Sequence, residues 1–235
     1  MDIFLEFSII GLAALIHASF QLTIGCMILL FHHSFGGKKT RQRTREFVGS
    51  YISGAGLTVF LVLSALSFWL AHSFGWQVPA YLLAIEVGLL ASLGVILLLF
   101  YYRYGKHTEL YLPRGLAKFL TKQIRKTSNN HEAFIFGVAG VLGELPFVII
   151  ITLVGASSVV ALPEPWRPLA VLLYVIVSIL PLLVLSLALR SSRTISEVQH
   201  WRVRNKNFLK VVAGLGAIVL AAYLATFRLL PLVGA

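Results

Sequence analysis

The sequence predicts an all-α integral membrane protein whose six transmembrane helices form two inverted three-helix repeats. Three observations lead there: an apolar composition, six apolar runs of spanning length, and basic residues confined to alternate loops. Of 235 residues 58% are hydrophobic and only 12% charged, with mean hydropathy +0.86, whereas roughly a quarter of the residues in a soluble domain are charged. Each run approaches the ~20 residues that cross a bilayer as a helix. Stretches such as VILLLFYY and VLLYVIVSILPLLVLSLAL lack the alternation of a transmembrane barrel strand.

The first segment is read from Ile3 to Phe31. Asp2 and Glu6 flank it rather than a basic region, and its uncharged stretch from Phe7 to Phe31 is longer than a signal-peptide core, so it is expected to stay as a helix. The second segment runs from Phe47 to Leu70 and the third from Pro79 to Tyr102. The fourth runs from Ala133 to Ala161, the fifth from Leu169 to Leu189 and the sixth from Phe208 to Phe227. Short loops, HSFGWQV and LPEPWRP, join the second to the third and the fourth to the fifth. The domain reading is therefore residues 1–102 as a first repeat, 103–132 as a basic connector and 133–235 as a second repeat.

A net charge of +11 raises the question of nucleic acid, and the distribution answers it. Lys38, Lys39, Arg41, Arg43 and Arg45 lie between the first two segments, and Arg103, Lys106, Arg114, Lys118, Lys122, Arg125 and Lys126 between the third and fourth. Arg190, Arg193, Arg202, Arg204, Lys206 and Lys210 lie between the fifth and sixth, so 18 of the 20 basic residues sit on alternate loops. Only Arg167 and Arg228 fall on the other side. By the positive-inside rule the three basic loops are cytoplasmic and both termini outside, in a multi-pass protein of the plasma membrane. The charge is a topology signal with some attraction to anionic lipid, and the expected partners are the bilayer and a small solute or cation, not nucleic acid. In the connector, Leu112, Leu116, Phe119, Leu120 and Ile124 recur at helical spacing among basic residues, the pattern of an amphipathic helix at the membrane surface.

The repeat rests on a constant offset. A shift of 126 residues lays Gly11 to Ile16 on Gly137 to Leu142, Glu6 on Glu132, and Gly88-Leu89 on Gly214-Leu215. With three helices per copy, the second copy enters the membrane from the opposite face. In this architecture secondary transporters place their substrate near the midplane between repeats.

Ionisable groups inside apolar runs are the best pointers to function, because a charge at the bilayer centre costs roughly 2.5–3.5 kcal/mol on insertion scales. His17 stands mid-way along the first segment, and the shift lays it on Gly143, beside Glu144 of the fourth. Gln21 lies one helical turn beyond His17 on the same face. Glu86 is the eighth residue of the third segment, counted from Pro79. His17, Gln21, Glu144 and Glu86 are thus the candidate substrate or ion ligands, with His nitrogen and Glu oxygen equally suited to a divalent cation or to proton exchange. Pro146 follows Glu144 by two residues, Pro181 lies in the fifth segment, and Gly54 and Gly56 hold the equivalent place in the second. Those four are expected helix breaks, which in transporters expose backbone to a cavity. The bland alternatives are packing glue for Glu144, a carbonyl-bonded neutral imidazole for His17, and interfacial solvation for Glu86, His32 and His33. Cys26, the sole cysteine, reads as a small apolar residue and excludes an intrachain disulfide.

Three stretches resemble the LysE/CcdA superfamily of six-helix membrane proteins: LLYVIVSILPLLVLSLAL its fifth helix, FLKVVAGLGAIVLAAYL its last and FVGSYISGAGLTVFLVLSALSFW its second. The resemblance implies an inverted-repeat domain that exports amino acids or divalent cations, or carries thiol electrons. The thiol branch has a cysteine in the first and fourth helices, where this chain reads HASFQLTIG and GELPFVIII. The Gly-Pro-Asn of amino-acid exporters is also missing from the first helix. The functional expectation is a secondary transporter with a site between the first and fourth helices. The alternative is a membrane-embedded assembly or sensor subunit. An intramembrane enzyme ranks third, since no nucleophile or closed metal site shows convincing spacing. No cofactor is implied, and a homo-oligomer is compatible with the sequence.

Overall fold

The computed structural model describes residues 2–20, 24–28, 41–99, 129–188 and 204–233, and the regular structure in them is helical. Gln21, His32, His33, the amphipathic pattern from Leu112 to Ile124 and nearly all of the 103–132 connector lie outside the described residues.

Helix α1 spans Ile3–Ser19, its first turn capped by the Asp2 side chain, which accepts the Phe4 N–H at 3.1 Å. It stops short of its expected end at Phe31. The Ser19 hydroxyl donates to the Ile16 carbonyl at 2.6 Å, and Phe20, already extended, gives its N–H to the His17 carbonyl at 3.1 Å. Side-chain competition of this kind suits a helix end. Helical structure resumes at 24–28.

Helix α2 spans Arg41–Phe74 and ends at Gly75, whose φ of 68° is the left-handed conformation that terminates helices. Helix α3 spans Ala80–Leu99 and α4 Asn130–Ala161, the latter capped by Asn129, which accepts the Glu132 N–H at 2.9 Å. A 3-10 turn at Glu164–Trp166 leads into α5, Arg167–Ser178, followed by α6, Leu180–Ala188. The two meet at 49°. Pro181 has no N–H for the Val177 carbonyl, and the Ile179 N–H serves the Val175 and Val177 carbonyls instead. Helix α7, Lys206–Leu224, continues through a π turn at Ala225–Leu229 into the short α8, Leu230–Val233.

Among the described residues four stretches are long and apolar enough to cross a membrane: Arg45–Phe74, Ala80–Leu99, Asn130–Ala161 and Lys210–Val233. The bent α5–α6 pair makes a fifth if it is one span. The difference from the six expected spans lies in α1, whose 17 residues reach about 25 Å at 1.5 Å per residue, less than the ~30 Å hydrocarbon core.

The core is apolar, as in a soluble protein, but the surface is apolar as well and several ionisable side chains lie inside. Leu57, Phe60, Leu61, Ile85, Leu89, Ile96, Leu172, Ile176, Val184 and Val219 are exposed, while Glu6, His17, Glu86, Glu144 and Arg228 are buried. An apolar surface on this scale is consistent with a helical bundle embedded in a membrane. Inside, α2 packs most extensively on α4 and α3 on α7, while α1 touches α4, α5 and α7. Both main crossings rest on glycine. A Cβ on Gly54 would collide with the Phe134 backbone and one on Gly137 with the Tyr51 carbonyl, while one on Gly94 would stand 2.8 Å from the Gly214 carbonyl oxygen. Backbones this close are the mark of small-residue packing between membrane helices. Gly54 is therefore a contact within an unbroken α2, not a break, and α2 and α4 likewise run through Gly56 and Pro146 without interruption. Of the four expected break positions only Pro181 coincides with one.

Candidate functional site

Among the described residues two polar centres lie inside the bundle. The first surrounds a cavity of about 20 Å³, the size that holds one water molecule. His17, Ala18 and Phe20 line it from the end of α1, Val141 and Glu144 from α4, Ala55 and Val59 from α2. Ser178, Ile179, Pro181 and Leu182, the residues of the α5–α6 bend, and Ile24 complete the wall. Thus the two interruptions among the described helices, one after Ser19 and one at Ile179, border the same small space as the buried imidazole and carboxyl.

His17 is held by a directional chain of hydrogen bonds. Its Nδ1 lies 3.0 Å from Tyr174 Oη, Tyr174 Oη lies 3.2 Å from Thr152 Oγ1, and Thr152 Oγ1 donates to the Val148 carbonyl at 2.9 Å. Each hydroxyl owns one proton. Because Thr152 gives its proton to a carbonyl, Tyr174 donates to Thr152, and His17 Nδ1–H donates to Tyr174. A neutral imidazole then carries its lone pair on Nε2, the atom that can take a proton or a cation. Tyr174 is fully buried, and its ring passes where Gly155 has no Cβ. Tyr51 of α2, also fully buried, stands within electrostatic reach of Glu144 and Cys26.

The second centre lies toward the end of the bundle that carries the two short loops. Arg228, placed by the π turn, has its Nε 3.4 Å from Glu6 Oε1. Its Nη1 lies 3.2 Å from Ser158 Oγ and 3.4 Å from Ser157 Oγ, and Ser157 Oγ lies 3.1 Å from Glu86 Oε2. All five side chains are buried. They tie together α1, α3, α4 and the π turn that follows α7.

The structure places both His17 and Glu144 in the lining of one cavity. It places Glu86 elsewhere, with Ser157 and Arg228. Glu6 and Arg228, which in the sequence look like flanking charges, are interior. Tyr174, Tyr51 and Ser178 were hidden among other aromatic and hydroxyl residues of apolar runs. Among the described residues no group of three His, Cys, Asp or Glu side chains is arranged to hold a metal ion. No family model, no curated protein and no solved structure matches the chain.

Proposed function

We propose that this chain is a secondary transporter, built as two inverted repeats, that passes a small solute or cation through the His17–Glu144 cavity by alternating access. The observation that carries the reading is the convergence of two helix interruptions on one small space where His17, Glu144 and Ser178 stand among apolar side chains. Discontinuous helices paired across a midplane site are how transporters expose ligands inside a bilayer. The size of the cavity favours a single small cation over an amino acid in this closed conformation. Such an ion would be held by Glu144 and His17 Nε2, with water or backbone carbonyls filling its shell.

The helix pairings support the inverted repeat. Exchanging α1, α2 and α3 for α4, α5–α6 and α7 turns the α2–α4 contact into α5–α1 and the α1–α7 contact into α4–α3, and leaves α1–α4, α2–α5 and α3–α7 as they are. Each of these contacts occurs. The tyrosines follow the same exchange. Tyr174 of α5 serves His17 of α1, while Tyr51 of α2 stands near Glu144 of α4, and the 126-residue shift lays Tyr174 on Val48, one turn from Tyr51. In this reading the short-loop end faces outside.

The test is flux in liposomes. Purified protein should move at least one of a panel of labelled monovalent and divalent cations and amino acids. Glu144→Gln, which keeps size and hydrogen-bonding capacity, should lower that flux at least tenfold while inserting normally. A fully active Gln variant leaves Glu144 a packing residue. One observation favours a second reading, an assembly or sensor subunit without transport: the Glu6–Arg228–Glu86 centre fastens four helices. Absence of flux for the whole panel puts that reading ahead.

A further inference from the structure

The second polar centre holds one more negative group than positive ones, and its hydrogen count shows how that is resolved. Ser157 Oγ lies 3.0 Å from the Val154 carbonyl, 3.1 Å from Glu86 Oε2 and 3.4 Å from Arg228 Nη1. A serine hydroxyl has one proton to give and two lone pairs to receive with. The guanidinium donates to it, which uses one lone pair. If Glu86 is ionised, its carboxylate and the Val154 carbonyl compete for the single serine proton, and one contact joins two oxygens with no hydrogen between them. If Glu86 carries a proton on Oε2, every contact is satisfied: Glu86 donates to Ser157, Ser157 donates to Val154, and Arg228 donates to Ser157.

Charge leads to the same answer. The charged groups that face Glu86 are Arg228, beyond α7, and Glu6 of α1. Helix α4 contributes the hydroxyls of Ser157 and Ser158. Arg228 approaches Glu6 directly, Nε to Oε1 at 3.4 Å, and reaches Glu86 only through Ser157. Glu86 is completely buried and its Oε1 has no hydrogen-bond partner; the Glu6 oxygens also lack hydrogen bonds, but Glu6 has the direct ion-pair contact with Arg228 that Glu86 does not. An ionised carboxylate with one bare oxygen in an apolar bundle is costly, whereas a neutral acid needs only one donor contact.

We propose that Glu86 is the binding site of the coupling ion, and that this ion is a proton. In the arrangement described, Glu6 and Arg228 form the ion pair and Glu86 is the neutral member. Opening the short-loop end separates Glu6 on α1 from Arg228 and exposes Glu86 to water. The guanidinium is then free to pair with Glu86, which releases its proton to the aqueous side. No bond other than O–H is broken, and water takes the proton. The coupling role rests on the transporter reading; the protonation of Glu86 does not.

Infrared difference spectroscopy of the purified full-length protein across a pH titration tests the site. A carboxylic-acid C=O band should be present at neutral pH and vanish in alkali. It should be missing from Glu86→Gln, whose amide N–H can replace the acid O–H toward Ser157. It should persist in Glu6→Gln and in Glu144→Gln. In Ser157→Ala, which removes the acceptor, it should move to higher frequency, so the assignment survives even if one variant folds poorly. A titrating band unchanged in Glu86→Gln and unshifted in Ser157→Ala, or lost in Glu6→Gln instead, overturns the proposal. In liposomes, a pH gradient should drive uphill movement of the transported ion by the wild type and not by Glu86→Gln. If the band assigns to Glu86 but the panel shows no flux, the transporter reading fails and the proton site stands.

Discussion

At the residue scale, single protons and single lone pairs decide roles that residue type alone leaves open. Tyr174→Phe deletes one oxygen and should leave His17 Nδ1 buried beside a ring edge. Interhelical hydrogen bonds in membranes average about 0.6 kcal/mol and reach about 1.7, so unfolding in a detergent titration should show a loss of about 1 kcal/mol. The loss in flux should be larger, because the imidazole tautomer that keeps Nε2 basic is no longer enforced. Unchanged transport in Tyr174→Phe would separate the hydrogen-bond chain from function. Arg228 behaves differently. Arg228→Met strands Glu6 in the apolar interior, and breaking a buried pair costs about 3 kcal/mol or more. Adding Glu6→Met should recover most of that stability, since a hydrophobic replacement of both partners removes the uncompensated charge. A double variant no more stable than Arg228→Met would mean that Glu6 is not the charge Arg228 compensates.

At the element scale, the main devices are glycine crossings and helix interruptions, and they differ in how legible they are in a sequence. Pro181 announces the α5–α6 bend because a missing N–H is written in the residue itself. Pro146 carries the same signal, yet α4 continues through it, with α2 packed along its length. Gly54 and Gly137 read as flexible positions but serve close approach, a role that depends on which helix lies opposite. The end of α1 at Ser19 was illegible: no proline or glycine marks it, and the serine hydroxyl that takes the Ile16 carbonyl is a common residue in membrane helices. Pairings such as Glu6 with Arg228, 222 positions apart in the numbering, belong to the assembled bundle and have no local signature. Two outcomes follow for the elements. Gly137→Leu should push α2 from α4 and destabilise the protein by at least 1–3 kcal/mol, the range for overpacking. Pro181→Ala should restore the Val177 bond and reduce the 49° bend, seen as a longer spin-label distance between the ends of α5 and α6. Folding should survive it and transport should not. If Pro181→Ala transports normally, the bend is not part of the cycle.

At the scale of the whole molecule, the proposed alternating access requires that the short-loop end open. In the structure that end is closed by several contacts: the Arg228–Glu6 pair, the guanidinium of Arg167 3.6 Å from the ring centre of Trp76, and the Phe7 and Trp166 rings edge to face at 6.1 Å. Phe7 belongs to α1, and Trp166 to the turn between α4 and α5. Helix α1 and the two helices that this turn joins, α4 and α5, also meet at the His17–Glu144 cavity, so a bond between the two residues would hold the short-loop side of the cavity shut. Cys26, the sole native cysteine, is buried and can be replaced by alanine to give a clean background. With cysteines in place of Phe7 and Trp166, a short bifunctional thiol reagent should join α1 to the turn and stop flux. The same pair joined by a reductant-sensitive reagent should regain flux when the bridge is cut, and neither single-cysteine variant should respond. Because the bridge touches none of the residues lining the cavity, arrest would come from blocked motion and not from a lost ligand. Transport that continues in fully bridged protein would mean that the short-loop end stays closed throughout. The two polar centres would then belong to a fixed bundle rather than to a moving one.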